Sequence, residues 1–417
     1  MNSSFYENNR KKLTNEIKDN SVVVLFAGRS KKKTNDENYQ FTPNRNFYYL
    51  TGIDEEEHIL VISKLNGKVE SNLFIKDIDL ELERWVGKSI RKDEAIAISN
   101  INNIEFKSEF TGYMHRLIAM ADEVNVYLDL ERLSEEDEDT ESTKFSNDIM
   151  KKYPQVRIHN IYSAIGKFRM NKSSEEIENL KEAIRITKDG IELLMEKSSE
   201  GLKEYQLEAY FDFVCKSNGV KDLAFKTIAA AGKNATILHY VSNDSELKDG
   251  DLILFDLGAQ YKYYNADISR TFPINGKFTE RQKEVYNAVL RVNEEIIEMI
   301  KPGMKYRDVN DKATDLIAEE CIKLGLITDK KDVRKYYFHS IGHSLGMDTH
   351  DIETPRRDIT FTPGIVYTVE PGIYIEEEGI GIRIEDDILV TEDGTCNLSK
   401  DIIKTVDEIE KFMAKFK

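Results

Sequence analysis

Asp256 and Asp267 are the first residues of this chain whose type and spacing could do chemistry. They lie in residues 252–272, LILFDLGAQYKYYNADISRTF. The apolar run Leu252, Ile253, Leu254, Phe255 reads as a β-strand that delivers Asp256 at its end. A tyrosine-rich connection at 260–264 follows, and a second extended run carries Asp267. Two carboxylates on neighbouring apolar strands repel each other unless one is protonated or something positive lies between them. An arginine could serve, and so could divalent cations such as Mn2+, Mg2+ or Zn2+, which suit oxygen ligands. Taken alone, the pair leaves these alternatives open.

Three further segments carry donors of the same kind. Residues 337–343, YFHSIGH, hold His339 and His343 and lead through Leu345, Gly346 and Met347 to His350 and Asp351. Residues 365–369, IVYTV, read as a strand ending at Glu370, with Pro371 and Gly372 as the turn beyond it. Residues 381–387, GIRIEDD, alternate, so as one strand they place Arg383, Glu385 and Asp387 on a common face. An arginine among such apolar neighbours is costly unless it is paired. His339 and His343 have the spacing of a helical HxxxH pair, but the intervening glycine and the missing Glu oppose a zincin helix. Gly379 to Gly381 lacks the third glycine and the following helix of a nucleotide loop.

The elements that must position these residues fall into two parts. In the first, residues 8–18 read as a short polar helix and 21–27 as a strand. Residues 28–40 form a charged loop, and 46–52, NFYYLTG, an aromatic run closed by a glycine turn. Further strands are expected at 59–62, 73–75 and 124–130, interleaved with helical patterns near 92–99 and 108–120. Alternation of this kind indicates an α/β domain. The acidic run 134–142 reads as a solvated loop or helix start, and the single Trp85 as a core or interface aromatic. Composition shifts between about 160 and 172. Ser173 and Glu176 then have capping-box spacing ahead of a helix reaching Lys197, with Ile177, Leu180, Ile184, Ile191 and Leu194 along one side. Helices are expected at 203–217, 279–300 and 306–324, with strands and hairpins between them. We therefore divide the chain into 1–165 and 166–417.

Composition narrows the function. A chain of 417 residues exceeds one ordinary core. Its net charge of −17 opposes a nucleic-acid partner and an anionic membrane surface, both of which need clustered Lys and Arg. No run reaches the length of a membrane span, and the N-terminal stretch lacks the apolar core of a secretory signal. Three cysteines without a CxxC pair suit a reducing compartment, so a cytoplasmic location is expected.

Together, FDLGA, ADISRTF, HSIGHSLG, VEPG and GIRIEDD resemble the pita-bread metallopeptidases, a family that includes methionine aminopeptidases, prolidases and aminopeptidase P. NFYYLTGI, ERWVGKS and KSSEEIENLKEA extend the resemblance to the aminopeptidase P branch, over roughly residues 20 to 412. It implies an α/β N-terminal domain followed by an α+β pita-bread catalytic domain, whose two similar halves face each other around two divalent metal ions. Mn2+ is the implied metal, with Co2+, Zn2+ or Fe2+ also compatible with the donors. His343 and Glu370 would hold the first ion and Asp256 the second, with Asp267 and Glu385 bridging. A bridging water or hydroxide would be the nucleophile and Glu370 its general base. His239 and His350 match substrate-binding and proton-handling histidines. His339, Arg383 and Tyr374 match residues around the same site. The implied reaction is removal of the first residue from peptides with proline second. The alternatives are a prolidase acting on Xaa-Pro dipeptides and a non-catalytic pita-bread binding protein, which would have lost ligands. The resemblance further implies a homodimer or homotetramer, and in some relatives the counterpart of Trp85 approaches a neighbouring subunit's site. Residues 223–236, LAFKTIAAAGKNAT, have fewer polar or tyrosine positions than the family pattern, which bears on pocket shape and side-chain preference.

Overall fold

A computed structural model describes residues 1–119, 121–354 and 359–417. The chain divides into Met1–Phe168 and Arg169–Lys417. In the first unit a mixed sheet forms from β1 (Ser21–Phe26), β2 (Ile59–Leu65), β3 (Lys68–Ile75), β4 (Asn103–Phe106), β5 (Val124–Leu128) and β6 (Val156–Asn160). Their order is β4-β3-β2-β1-β5-β6, with β1 antiparallel to β2 and parallel to β5. Helices cover the sheet, so β1 is apolar at consecutive positions, Val22 to Leu25, rather than alternating. The aromatic run is a helix, Arg45–Thr51, ended by Gly52 in the left-handed conformation at φ 72. The first helix spans Ser3–Glu16, earlier than its polar pattern indicated, and is capped by Asn2. The pattern at 108–120 becomes a short 3-10 turn and the helix Phe110–Ile118, while Met120 lies outside the described residues. Trp85 stands on a short helix, Glu83–Val86, and is 87% exposed, so it takes no part in the core.

The second unit opens with the helix Ser174–Lys197, whose expected capping box is present. The Ser173 N–H donates to Glu176 Oε2 (2.8 Å), and the Glu176 N–H donates back to Ser173 Oγ (3.4 Å). Leu180, Ile184, Ile191 and Leu194 are buried. Each contributes roughly 1.5–3 kcal/mol over an exposed side chain. The helices Glu204–Ser217, Glu280–Met299 and Tyr306–Lys323 complete the layer that packs on the strands.

One antiparallel sheet, ordered β11-β8-β7, is built from β7 (Ile228–Ala231), β8 (Leu252–Leu257) and β11 (Ile268–Pro273). Between β8 and β11, β9 (Gln260–Tyr261) and β10 (Tyr264–Asn265) make a tight hairpin whose central residues, Lys262 and Tyr263, are both left-handed. The later strands are β12 (Val366–Val369), β13 (Gly372–Ile375), β14 (Ile380–Arg383), β15 (Asp386–Val390) and β16 (Thr395–Asn397). They form two sheets, β12-β15-β16 and β13-β14. This corrects the reading of 381–387 as one strand. β14 ends at Arg383, β15 begins at Asp386 on a different partner, and Glu385 occupies the break. Alternation of side chains does not reveal a change of partner.

Candidate metal centre

Asp256 is the penultimate residue of β8, and Asp267 lies one residue before β11. The register sets Ser269 opposite Asp256, so both carboxylates emerge at the same end of the hairpin. His343 precedes β12 on an extended segment. Its N–H donates to Thr368 Oγ1 (3.1 Å), and its Nδ1–H can donate to the Ser344 carbonyl (3.1 Å), which leaves Nε2 toward the carboxylates. Glycine at 342 is required here, because a Cβ would overlap the Thr368 carbonyl oxygen. Glu370 follows β12 directly, anchored by its N–H on the Ile341 carbonyl (2.8 Å). Glu385 sits in the strand break with its N–H on the Ser269 carbonyl (3.1 Å).

All five residues line one cavity of about 520 Å³, together with His239, His339, His350 and Arg383. His343 Nε2 is 3.3 Å from Asp267 Oδ2 and 3.7 Å from Glu370 Oε1. One donor atom from each of Asp267, His343 and Glu385 lies within 4.8 Å of the others. Burial raises the Asp267 carboxyl to about 6 and Glu370 to about 7, and lifts Glu385 well above the usual carboxylate range. Burial also disfavours the His343 imidazolium, but the contact with Asp267 and the Asp267 and Glu370 charges outweigh it, and its pKa is about 9. Four carboxyl groups and one imidazole thus converge beside Arg383, and the raised carboxyl values show that their charges are not all held there unless further positive charge is supplied. Oxygen donors with one imidazole, which binds as the neutral ring, fit divalent cations as that charge.

Arg383 holds the frame. Its Nη2 donates to Asp256 Oδ2 (2.6 Å), Nε to Ser269 Oγ (2.7 Å) and Nη1 to Tyr374 Oη (3.2 Å). Ser269, not singled out from the sequence, is the hub between these groups. Its buried hydroxyl lies 3.1 Å from Asp256 Oδ1 and 2.8 Å from Glu385 Oε2, and its one proton serves one of them. The signal was available: Asp267, Ser269 and Thr271 alternate on one face of the ADISRTF run.

His339 lines the cavity beside Glu370, its Nδ1 3.8 Å from Glu370 Oε2. Burial first, and then Arg383, lower its pKa to about 3, so the ring is neutral. With Nδ1–H donating to the Ser340 carbonyl (2.7 Å), Nε2 accepts from the Tyr374 hydroxyl (2.9 Å). A directed chain therefore runs from Arg383 through Tyr374 to His339. The predicted Tyr374 is buried and joins the site through these two partners. His239 and His350 are exposed on the cavity wall, and the His350 ring centroid is 4.2 Å from that of His343.

The loop that carries both His343 and His350 is tied down at Asp351. This buried carboxylate accepts from Arg169 Nη2 (2.5 Å) on one oxygen and from Lys172 Nζ (3.1 Å) on the other. The Asp351 N–H donates to the Ser344 carbonyl (2.9 Å), closing the loop on itself. The capping region of the helix Ser174–Lys197 thus also anchors the site, which its capping pattern alone does not reveal.

Residues 178–392 match the model of metallopeptidase family M24, and residues 6–127 match that of the aminopeptidase P N-terminal domain. The Xaa-Pro aminopeptidase of Escherichia coli (strain K12) is 32% identical over 435 residues, covering 98% of this chain and 97% of that protein. A solved structure from Bacillus anthracis, described as an aminopeptidase P candidate, superposes with a TM-score of 0.97 at 48% identity, over 100% of this chain and 99% of that chain. Aminopeptidase P from E. coli with the inhibitor Pro-Leu superposes with a TM-score of 0.92 at 32% identity and the same coverage.

Proposed function

The chain belongs to metallopeptidase family M24, and from that premise we propose that it is a divalent-metal aminopeptidase releasing the first residue of peptides whose second residue is proline. The observation that carries this reading is the convergence of Asp256, Asp267, His343, Glu370 and Glu385 on one cavity, next to the paired Arg383. Residues 1–165 are assigned as the aminopeptidase P-type domain and 166–417 as the catalytic domain.

His343 and Glu370 would hold one cation and Asp256 the other, with Asp267 and Glu385 shared between them. When bound, such ions supply the positive charge that acidifies a water and polarises the scissile carbonyl. The chain's own residues handle the protons. Glu370 takes a proton from the attacking water as its oxygen adds to the carbonyl carbon. The same carboxyl returns that proton to the proline nitrogen as the C–N bond breaks. This nitrogen belongs to a tertiary amide and carries no N–H before cleavage. His239 and His350 hydrogen-bond the peptide from the cavity wall. Arg383 fixes Asp256 and, through Tyr374, holds His339 in its neutral tautomer.

Mn2+ is the proposed resident ion, supported by a donor set dominated by carboxylates. A homodimer or homotetramer is proposed, supported by Leu80, Trp85 and Val86, which are 69%, 87% and 73% exposed and form apolar surface that assembly would cover. A cytoplasmic location is proposed, supported by three free cysteines. Among the described residues no helix is long and apolar enough to cross a membrane.

The test is release of the first residue from Xaa-Pro-Yaa and Xaa-Pro peptides, with Mn2+ and after chelation. Metal-dependent cleavage of the tripeptide is expected. Cleavage of the dipeptide alone would make the enzyme a prolidase, and cleavage of neither by metal-loaded protein would overturn both readings.

A further inference from the structure

The cavity is walled by four carboxylates, and its cations are not equivalent. Arg383 is committed to Asp256, Ser269 and Tyr374. Lys226 also lines the cavity, is exposed, and pairs with no carboxylate among the described residues. An exposed lysine is ordinarily a solvated charge, so its place in the fold decides the matter. Lys226 lies two residues before Ile228, which stands opposite Asp256 in the sheet. At the rise of a strand this puts its backbone roughly 6–7 Å from the Asp256 level. The strip around it is fixed, because the Ala224 N–H donates to the Gly258 carbonyl (2.9 Å) and Thr349 Oγ1 donates to the Ala224 carbonyl (3.3 Å). Lys226 therefore belongs to the wall beside the His350 loop. Phe225, Leu238 and Val241 give that wall apolar surface, leaving Lys226 as its cationic group.

We propose that Lys226 is a specificity residue that binds a carboxylate of the peptide substrate, an inference that rests on the aminopeptidase reading above. In a protein of net charge −17, a peptide's carboxylate is repelled over most of the surface. One unpaired cation on the cavity wall offsets that repulsion where the peptide enters. Two sources of carboxylate fit: the C-terminus of a short peptide, or an Asp or Glu side chain within it.

Three peptides separate them: an Xaa-Pro-Yaa free acid, its C-terminal amide, and an amide with Glu as the third residue. Each is assayed with metal-loaded wild type, K226Q, K226E and K226R. Wild type is expected to favour a carboxylate-bearing peptide over the neutral amide by about three- to fivefold in kcat/KM, mainly through KM, the range of an exposed charge pair. K226Q should remove that preference, K226E should invert it, and K226R should keep it. High salt should shrink it, because the Debye length falls to about 3 Å at 1 M. A preference for the free acid alone assigns the C-terminus, and one shared by the Glu amide assigns any nearby carboxylate. Equal ratios in wild type and K226E would overturn the inference while leaving the aminopeptidase standing. Failure of wild type on all three peptides would overturn that reading and the inference with it.

Discussion

Replacing Asp351 by Asn keeps the side chain's shape and removes the one charge shared by Arg169 and Lys172. The side chains of Asp351, Arg169 and Lys172 are 1%, 2% and 1% exposed, so water cannot take the carboxylate's place. Asp348 still pairs with Arg169 at 2.7 Å, but Lys172 is left without its anion. Breaking a buried pair from one side costs about 3–5 kcal/mol. At about 2–4 °C per kcal/mol for a domain of this size, D351N should lower Tm by roughly 6–20 °C. Burial by itself would raise the Asp351 carboxyl, but the Arg169 and Lys172 charges outweigh it and hold the pKa below the ordinary value. A group depressed in this way stabilises the fold above its unfolded pKa, and that stability is lost as pH falls through its folded pKa. The gap between wild type and D351N should therefore be full at neutral pH and close in acid. Activity should fall further than stability, since Asp351 adjoins His350 and closes the loop on Ser344. A loss of about tenfold or more in kcat/KM is expected well below Tm. Adding Lys172→Met removes the orphaned ammonium and should recover about half of the lost stability. Thermal melts across pH and steady-state kinetics on an Xaa-Pro tripeptide measure all of this. A single mutant within about 1 kcal/mol of wild type, or a double mutant no better than the single, would refute the reasoning.

Ser269→Ala should lower metal affinity by about 10–100-fold while the protein stays folded, because the hydroxyl orients Asp256 and Glu385; metal titration of the refolded apoprotein measures it. Arg383→Lys keeps the charge but cannot reach Asp256, Ser269 and Tyr374 together, so kcat/KM should drop by roughly 100-fold with a smaller change in Tm. Gly342→Ala should displace His343, and two metal ions per chain in that variant, by elemental analysis, would show that the close approach to Thr368 is not needed.

The candidate residues of this site were visible as types and spacings, while their roles were implied by the family resemblance. The two aspartates and the two glutamates stand at or next to the ends of apolar runs, which marks them as candidates, but their grouping with His343 came from the order of the five motifs and the family they resemble. The helix caps were equally plain, as Ser173 and Glu176 show. Other features depended on partners distant in sequence. Nothing local marks the break at Glu385, since β14 and β15 alternate alike and differ only in the strands they join. The run at Asn46 is rich in β-favouring aromatics yet is helical, capped by Asn44 and packed on the first helix, so tertiary context overrides propensity. Short strands β4 and β6 at the sheet edges were missed because four or five residues hold too little pattern. Lys172 directly precedes the Ser173 cap in sequence, and only the fold brings Asp351 to it.

The central claim is that five side chains form one centre for two divalent ions. It is tested most directly by counting metal per chain in purified wild type and in Asp267→Asn and Glu385→Gln variants, with tripeptide hydrolysis followed on the same samples. The account predicts two ions per chain and metal-dependent release of the first residue for wild type, with both lost together in either variant. Full metal occupancy in the variants, or wild-type activity that survives complete metal removal, would contradict it.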